Sequence, residues 1–234
     1  MLLFSSAIIE QLQRDCKDGL NSVAYFSFDF RDNHKQSRLD MIPSLLIQLS
    51  AQSPRRCEIL YKFFDSENDH GTQTPTGNDL KRCLEEMLTL PGEGYVYIII
   101  DGIDECPNTP GVPSPREEVL DLLDELINLR FSTLWLCVTS RPELDIHTVL
   151  APQAAFSISL NEEAGQKQDI VKYIEYIMNS DPSMRKWKDE VKGQVFKTLS
   201  ERAGGMWGLR FAQYSIAYAI YFIGSDGRPT NWIP

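Results

Sequence analysis

Four side chains in this sequence stand where chemistry would need them. The run YVYIIIDGIDEC, residues 95–106, carries β-prone apolar residues straight into Asp101, Gly102, Asp104 and Glu105. Further on, TLWLCVTSRPE, residues 133–143, ends a second apolar run in Ser140 and Arg141. A hard cation such as Mg2+ takes oxygen ligands, often one or two carboxylates completed by waters and phosphate oxygens. Asp101, rigid at a strand end, suits that role. Gly102 lets backbone or ligand approach closely. Asp104 or Glu105 could then orient a water toward a terminal phosphate. The same acids could equally be a capping cluster for the next helix. Pro142 biases Arg141 to an extended backbone, from which its guanidinium could read a phosphate oxygen or steady transferred charge. It could instead pair with Asp104 or Glu105, and the two uses are compatible.

Those side chains need a frame to hold them. Residues 2–16 predict a helix, with Leu3, Ile8, Ile9 and Leu12 at helical spacing. VAYFSFDF, residues 23–30, predicts an aromatic-rich strand. RLDMIPSLLIQLSAQS (38–53) predicts a helix that Pro43 begins or kinks and Pro54 stops. CEILYKFF reads as helical. Asn78 is a candidate cap for the helix DLKRCLEEMLTL. Ser114, Pro115 and Glu117 form an N-cap, first-turn proline and capping-box partner for a helix running to about Leu129. Strands are expected at 95–101, 133–140 and 155–160. Beyond them Ile170, Tyr173, Ile174 and Ile177 make one helical stripe, and 187–202 a further helix.

Strands thus alternate with helices, and two strands are apolar on both faces. The pattern predicts an α/β fold, a parallel sheet covered by helices and followed by a helical extension. In such sheets ligands sit beyond the carboxyl ends of the strands, where Asp101 and Ser140-Arg141 both fall.

Bulk properties narrow the classes. A chain of 234 residues with 42% hydrophobic content can bury a real core, and its net charge of −10 argues against nucleic acid or an anionic membrane as partner. Five cysteines without a CxxC argue against zinc or a disulfide framework and fit reduced thiols in the cytoplasm. The apolar start has no basic n-region, and the run from Phe211 to Gly224 is short for a membrane span.

YIIIDGIDEC followed by WLCVTSRPE resembles the Walker B and sensor-1 motifs of NACHT-type STAND P-loop NTPases. The likeness is to the fungal NLR-like group, whose domain is often described as a nephrocystin-like N-terminal domain and often precedes ankyrin or other repeats. VAYFSFDFRD resembles that family's second strand, MIPSLLIQLS its next helix, LNEEAGQKQDIVKYI the entry to its helical part, and AGGMWGLRFAQ (203–213) a later helix. The resemblance covers roughly residues 2–213. It implies Asp101 as the magnesium-associated acid, Asp104 and Glu105 as the pair that positions water, and Ser140 and Arg141 as nucleotide contacts, Arg141 reading the γ-phosphate. It implies Mg2+ with ATP or GTP as cofactors, and protein partners or self-association in signalling.

The family's G-x-x-x-x-G-K-[ST] loop, whose backbone N–H groups cradle phosphates, occurs nowhere in the sequence. LLFSSAIIEQL resembles the helix that follows that loop, so the chain is expected to start just after it, without the central strand of the family's 5-1-4-3-2 order. The expected organisation is an incomplete core at 1–160, a helical extension at 161–213 and an atypical tail at 214–234. Strands 23–30, 95–101 and 133–140 are expected to form a three-stranded parallel core. Strand 133–140 then shows an open apolar edge, unless strand 155–160 slides in beside it. The tail reads as a gene-model artefact, a lineage-specific extension or a partner-binding helix rich in aromatics.

Three functions compete. The first is a nucleotide-switched signalling module, of doubtful hydrolytic competence. The second is a nucleotide-independent interaction scaffold or degenerate fragment. The third, a metal-only hydrolase, ranks last because His34, His70 and His147 lie far apart in the sequence.

Overall fold

Apolar runs too short for a buried helix, and closed at each end by breakers, become the parallel strands of a sheet. In the computed structural model, which describes residues 2–16, 20–69, 75–109, 113–159, 178, 187, 189–202 and 219–224, these are β1 (Ser22–Ser27), β2 (Val96–Asp101) and β3 (Leu134–Ser140). They pair in parallel, with Ala24 opposite Ile98 and Ile98 opposite Leu136. The expected parallel trio is therefore present.

Six helices belong to the same unit: α1 (Leu2–Asp15), α2 (Arg38–Ser50), α3 (Pro54–Asp69), α4 (Gly77–Leu88), α5 (Pro115–Asn128) and α6 (Leu144–Leu150). One face of the sheet carries the main core. Ala24, Ile98, Ile100 and Val138 meet Ile42 and Leu45 of α2, Leu84 of α4 and Leu123 of α5 there, all essentially sealed from solvent. The strand period of two turns Ile99, Asp101, Cys137 and Thr139 to the other face, on which α1 packs against β1 and β2.

Local signals decide the helix ends. Ser114 caps α5 through Glu117, with Pro115 in the first turn, as expected. Two expectations are corrected. Thr76, not Asn78, caps α4, because its hydroxyl accepts the Asp79 N–H while the Asp79 carboxylate takes the Thr76 N–H. Pro43 does not begin α2; Ser37 caps it through a reciprocal bond with Asp40, and the proline is carried inside the helix. The missing Pro43 N–H and the ring's crowding are local defects that the buried stripe Met41, Ile42, Leu45, Leu46 and Leu49 outweighs.

The edge of β3 is not open. β5 (Ala219–Gly224), from the segment expected to be an atypical tail, lies antiparallel against it, with Val138 opposite Tyr221. β4 (Phe156–Ser159) lies beyond β5, giving the order β1-β2-β3-β5-β4, so the expectation that β4 slides in beside β3 is also corrected. A helical reading of residues 219–224 is excluded. The cause is physical: AIYFIG is β-prone and uncharged, and an apolar edge offers it a full ladder of hydrogen bonds. Gly224 fixes the register. A Cβ there would lie 2.2 Å from the Trp135 ring, so the indole covers the glycine of the opposing strand. Phe156 stacks on Phe222 at 4.5 Å, and the Ala155 N–H donates to Phe222 O at 2.8 Å.

The chain divides into two units, Met1–Ile158 with Ala219–Pro234, and Ser159–Tyr218. The second contains α7 (Asp189–Arg202), matching the helix expected over 187–202. The expected stripe at Ile170–Ile177 and the 203–213 segment lie outside the described residues.

Candidate functional site

The carboxyl ends of β2 and β3 bring the sequence's acids and its arginine together. Asp101 ends β2 almost fully buried. Its Oδ1 accepts two short hydrogen bonds, from the Ser5 hydroxyl of α1 at 2.5 Å and from the Thr139 hydroxyl of β3 at 2.6 Å. A carboxylate taken out of water needs such donors, and here hydroxyls supply them. Neither Ser5 nor Thr139 was singled out from the sequence.

After Asp101 the chain turns sharply. Gly102 sits at φ +72°, a left-handed conformation that glycine reaches without strain. Its N–H points back to β3, to Thr139 O at 3.0 Å and Thr139 Oγ1 at 3.1 Å. The single 3-10 turn Ile103–Glu105 follows, anchored by the buried Ile103. It turns Asp104 toward the end of β3. The Arg141 N–H donates to Asp104 Oδ1 at 3.0 Å, and Arg141 Nε lies 3.1 Å from Asp104 Oδ2. The Asp104 carboxylate is 1% exposed and the Arg141 side chain 43% exposed, so this pair has one dry member and one wet one.

Burial pushes the Asp104 carboxyl above the ordinary aspartate range, against the opposing pull of the Arg141 N–H and guanidinium. Burial likewise raises Glu105, helped by the neighbouring charge of Asp104. Glu105 receives the Phe30 N–H from the segment after β1. Ser140 goes elsewhere. It is fully buried on the core face, opposite to Asp101, and its hydroxyl donates to the Arg141 carbonyl at 2.7 Å.

A second arginine holds the turn from behind. Arg116, in the first turn of α5, is 7% exposed at its side chain. Its Nη2 donates to Asp104 O at 2.6 Å and its Nε to Cys106 O at 3.0 Å. Its Nη1 reaches Glu143 and, at 3.3 Å, Asp145. Arg116 thus ties the 104–106 turn to the start of α6, just beyond Arg141. The sequence offered only an arginine beside a capping box, which reads as a solvated position.

Asp101, with the Ser5 and Thr139 hydroxyls around it, gathers oxygen atoms of the kind hard cations take. Among the described residues no three His, Cys, Asp or Glu side chains gather to hold a metal by themselves. A shallow apolar recess lined by Leu126, Phe131, Leu134 and Ile223 lies at the opposite end of the sheet, away from these groups.

The model of the family described as nephrocystin 3, N-terminal, matches residues 3–141. The chain belongs to the nephrocystin 3 N-terminal family. The matched stretch starts in α1 and stops at Arg141, so it contains Ser5, Asp101, Asp104, Glu105, Arg116, Thr139 and Arg141. No curated protein and no solved structure matches the chain. Of the expected features, membership of a nephrocystin-like N-terminal family and the helix-covered sheet are present. No described helix is long and apolar enough to cross a membrane.

Proposed function

We propose that this chain carries the part of a NACHT-like nucleotide-binding signalling module that senses a terminal phosphate, and that it does not itself turn nucleotide over. The supporting observation is the Asp104–Arg141 pair beside Asp101 at the carboxyl ends of parallel strands. A guanidinium that is half exposed, and held on a carboxylate whose own ionisation burial disfavours, is poised to exchange that partner for a phosphate. Where Mg2+ enters with ATP or GTP, Asp101 and the Ser5 hydroxyl would hold it, and it would neutralise phosphate charge. Asp104 and Glu105 would then face the terminal phosphate. Their proton affinity, raised by burial, suits groups that hold or pass a proton. Turnover is not assigned to the chain, because no G-x-x-x-x-G-K-[ST] run stands in its sequence to cradle the β- and γ-phosphates. The two states of Arg141, on Asp104 or on phosphate, would be read by protein partners or by self-association. The five free thiols, three of them buried, fit the cytoplasm.

One observation favours a nucleotide-independent scaffold instead. Without any ligand, Asp101 already has two hydroxyl donors and Asp104 already has Arg141. Thermal unfolding with millimolar Mg·ATP or Mg·GTP separates the readings. A nucleotide present at about ten times its dissociation constant stabilises the fold by about 1.4 kcal/mol. The switch reading expects that upward shift in the wild type and its loss in Arg141→Ala. Identical curves with and without either nucleotide would leave the scaffold.

A further inference from the structure

β1 is an edge strand, yet its outward backbone is not free. Its inner residues bond β2 and the segment around it, as the Ser22 N–H does to Tyr95 O at 2.8 Å. Val23 and Tyr25 point their backbone groups the other way. Both are met by side-chain amides, Gln48 from the last turn of α2 and Gln52 from the turn that follows the helix. The Val23 N–H donates to Gln52 Oε1 at 3.0 Å, and Gln52 Nε2 donates back to Val23 O at 2.7 Å. The Tyr25 N–H donates to Gln48 Oε1 at 3.0 Å, and Gln48 Nε2 donates back to Tyr25 O at 2.8 Å. Each primary amide makes the two bonds that a residue of an added strand would make.

The match follows from two periodicities. The turn Ala51-Gln52 continues the path of α2, its N–H groups bonding Ile47 O and Leu49 O. Gln48 and Gln52 are therefore separated by about the 6 Å that four helical residues rise, close to the roughly 6.6 Å of two strand residues. Glutamines at i and i+4 therefore fall opposite alternate residues of an antiparallel-running strand, and glutamine has the reach and the paired donor and acceptor to use that spacing. The amides are themselves braced: Gln48 Nε2 also reaches Ser44 Oγ at 3.1 Å, and Gln52 Nε2 reaches Gln48 O at 2.8 Å.

We propose that Gln48 and Gln52 lock the β1 edge, and that the partner they exclude is β1 of a second copy of this chain. The strand itself argues for that partner. SVAYFS is uncharged, free of proline and rich in β-formers, which is the composition of an aggregation-prone edge. Tyr25 is exposed beside it. Two identical edges pair antiparallel about a two-fold axis without further complementarity. The lock is independent of any nucleotide at the strand ends.

The test compares full chains by light scattering over a concentration series, with hydrogen exchange at the Val23 and Tyr25 amides. Gln48→Ala with Gln52→Ala is expected to associate to twice the wild-type mass, at least about tenfold more tightly than wild type, with its helical circular dichroism retained. Adding Tyr25→Lys is expected to reverse that, since an edge lysine opposes strand pairing. Gln52 lies beyond α2, so Gln52→Ala alone spares the helix and is expected to move the mass in the same direction if the double variant fails to fold. A folded variant, double or single, with the wild-type mass at every concentration would overturn the lock. So would association that Tyr25→Lys leaves intact, which would place the contact on another surface or with another partner.

Discussion

Two arginines reach the 103–106 turn from opposite sides, and they are not alike. Arg116 is buried and spends its guanidinium on two backbone carbonyls and two acids of the α6 start. Arg141 is half exposed, with its Nε 3.1 Å from the Asp104 carboxylate. The first arrangement commits four of the five guanidinium N–H donors and fixes the loop. The second can be released at small cost, because water can solvate the freed guanidinium. The same residue type is thus a staple in one place and a reader in the other, and the difference is set by burial.

Two substitutions and a pH series probe that contrast. Arg116→Ala strips donors from buried carbonyls and is expected to cost about 2–4 kcal/mol in denaturant unfolding. Loss below about 1 kcal/mol would mean the turn does not need its staple. Arg141→Ala is expected to cost about 1–2 kcal/mol at neutral pH, since the Asp104 carboxylate keeps the backbone N–H of residue 141. If the two losses are equal, the distinction between staple and reader fails.

The third probe is pH. Asp104 and Glu105 are both raised, so the folded chain binds protons more tightly than the unfolded one. Their contribution is favourable below the ordinary carboxylate values near pH 4 and is lost as pH rises through the raised values. Asp104→Asn is expected to flatten that decline, read as unfolding midpoint against pH. An unchanged slope would show that burial does not govern Asp104. A smaller effect belongs to Tyr221, buried on β5 with its hydroxyl lacking a hydrogen-bond partner among the described residues. Tyr221→Phe is expected to leave stability unchanged or raise it by up to about 1 kcal/mol.

Much of this arrangement was legible in the sequence, for reasons particular residues make plain. β2 and β3 announce themselves because they are apolar on both faces and end in breakers. The α5 start is legible because Ser114, Pro115 and Glu117 are local chemistry. Asp101, Asp104 and Arg141 could be placed at strand ends by the same runs. Ser5 and Thr139 could not be found that way. Their meeting on Asp101 depends on the β2–β3 register and on which face of α1 turns inward, both of which are tertiary facts. Arg116 was hidden because two of its partners are backbone carbonyls, which leave no trace in sequence, and the acids it meets, Glu143 and Asp145, stand far along the chain. β5 was missed because its partner strand lies far upstream, and the period of a short apolar run such as AIYFIG does not by itself tell a strand from a buried helix segment.

The central claim is that Arg141 can leave Asp104 for a phosphate, and calorimetric titration of the wild type and Arg141→Ala with Mg·ATP and Mg·GTP tests it most directly. The account predicts binding to the wild type that weakens at least about tenfold in the variant, as the loss of one charge-assisted contact of about 1.5–3 kcal/mol requires. Absence of heat from the wild type at millimolar nucleotide, or equal affinity in both proteins, would contradict it.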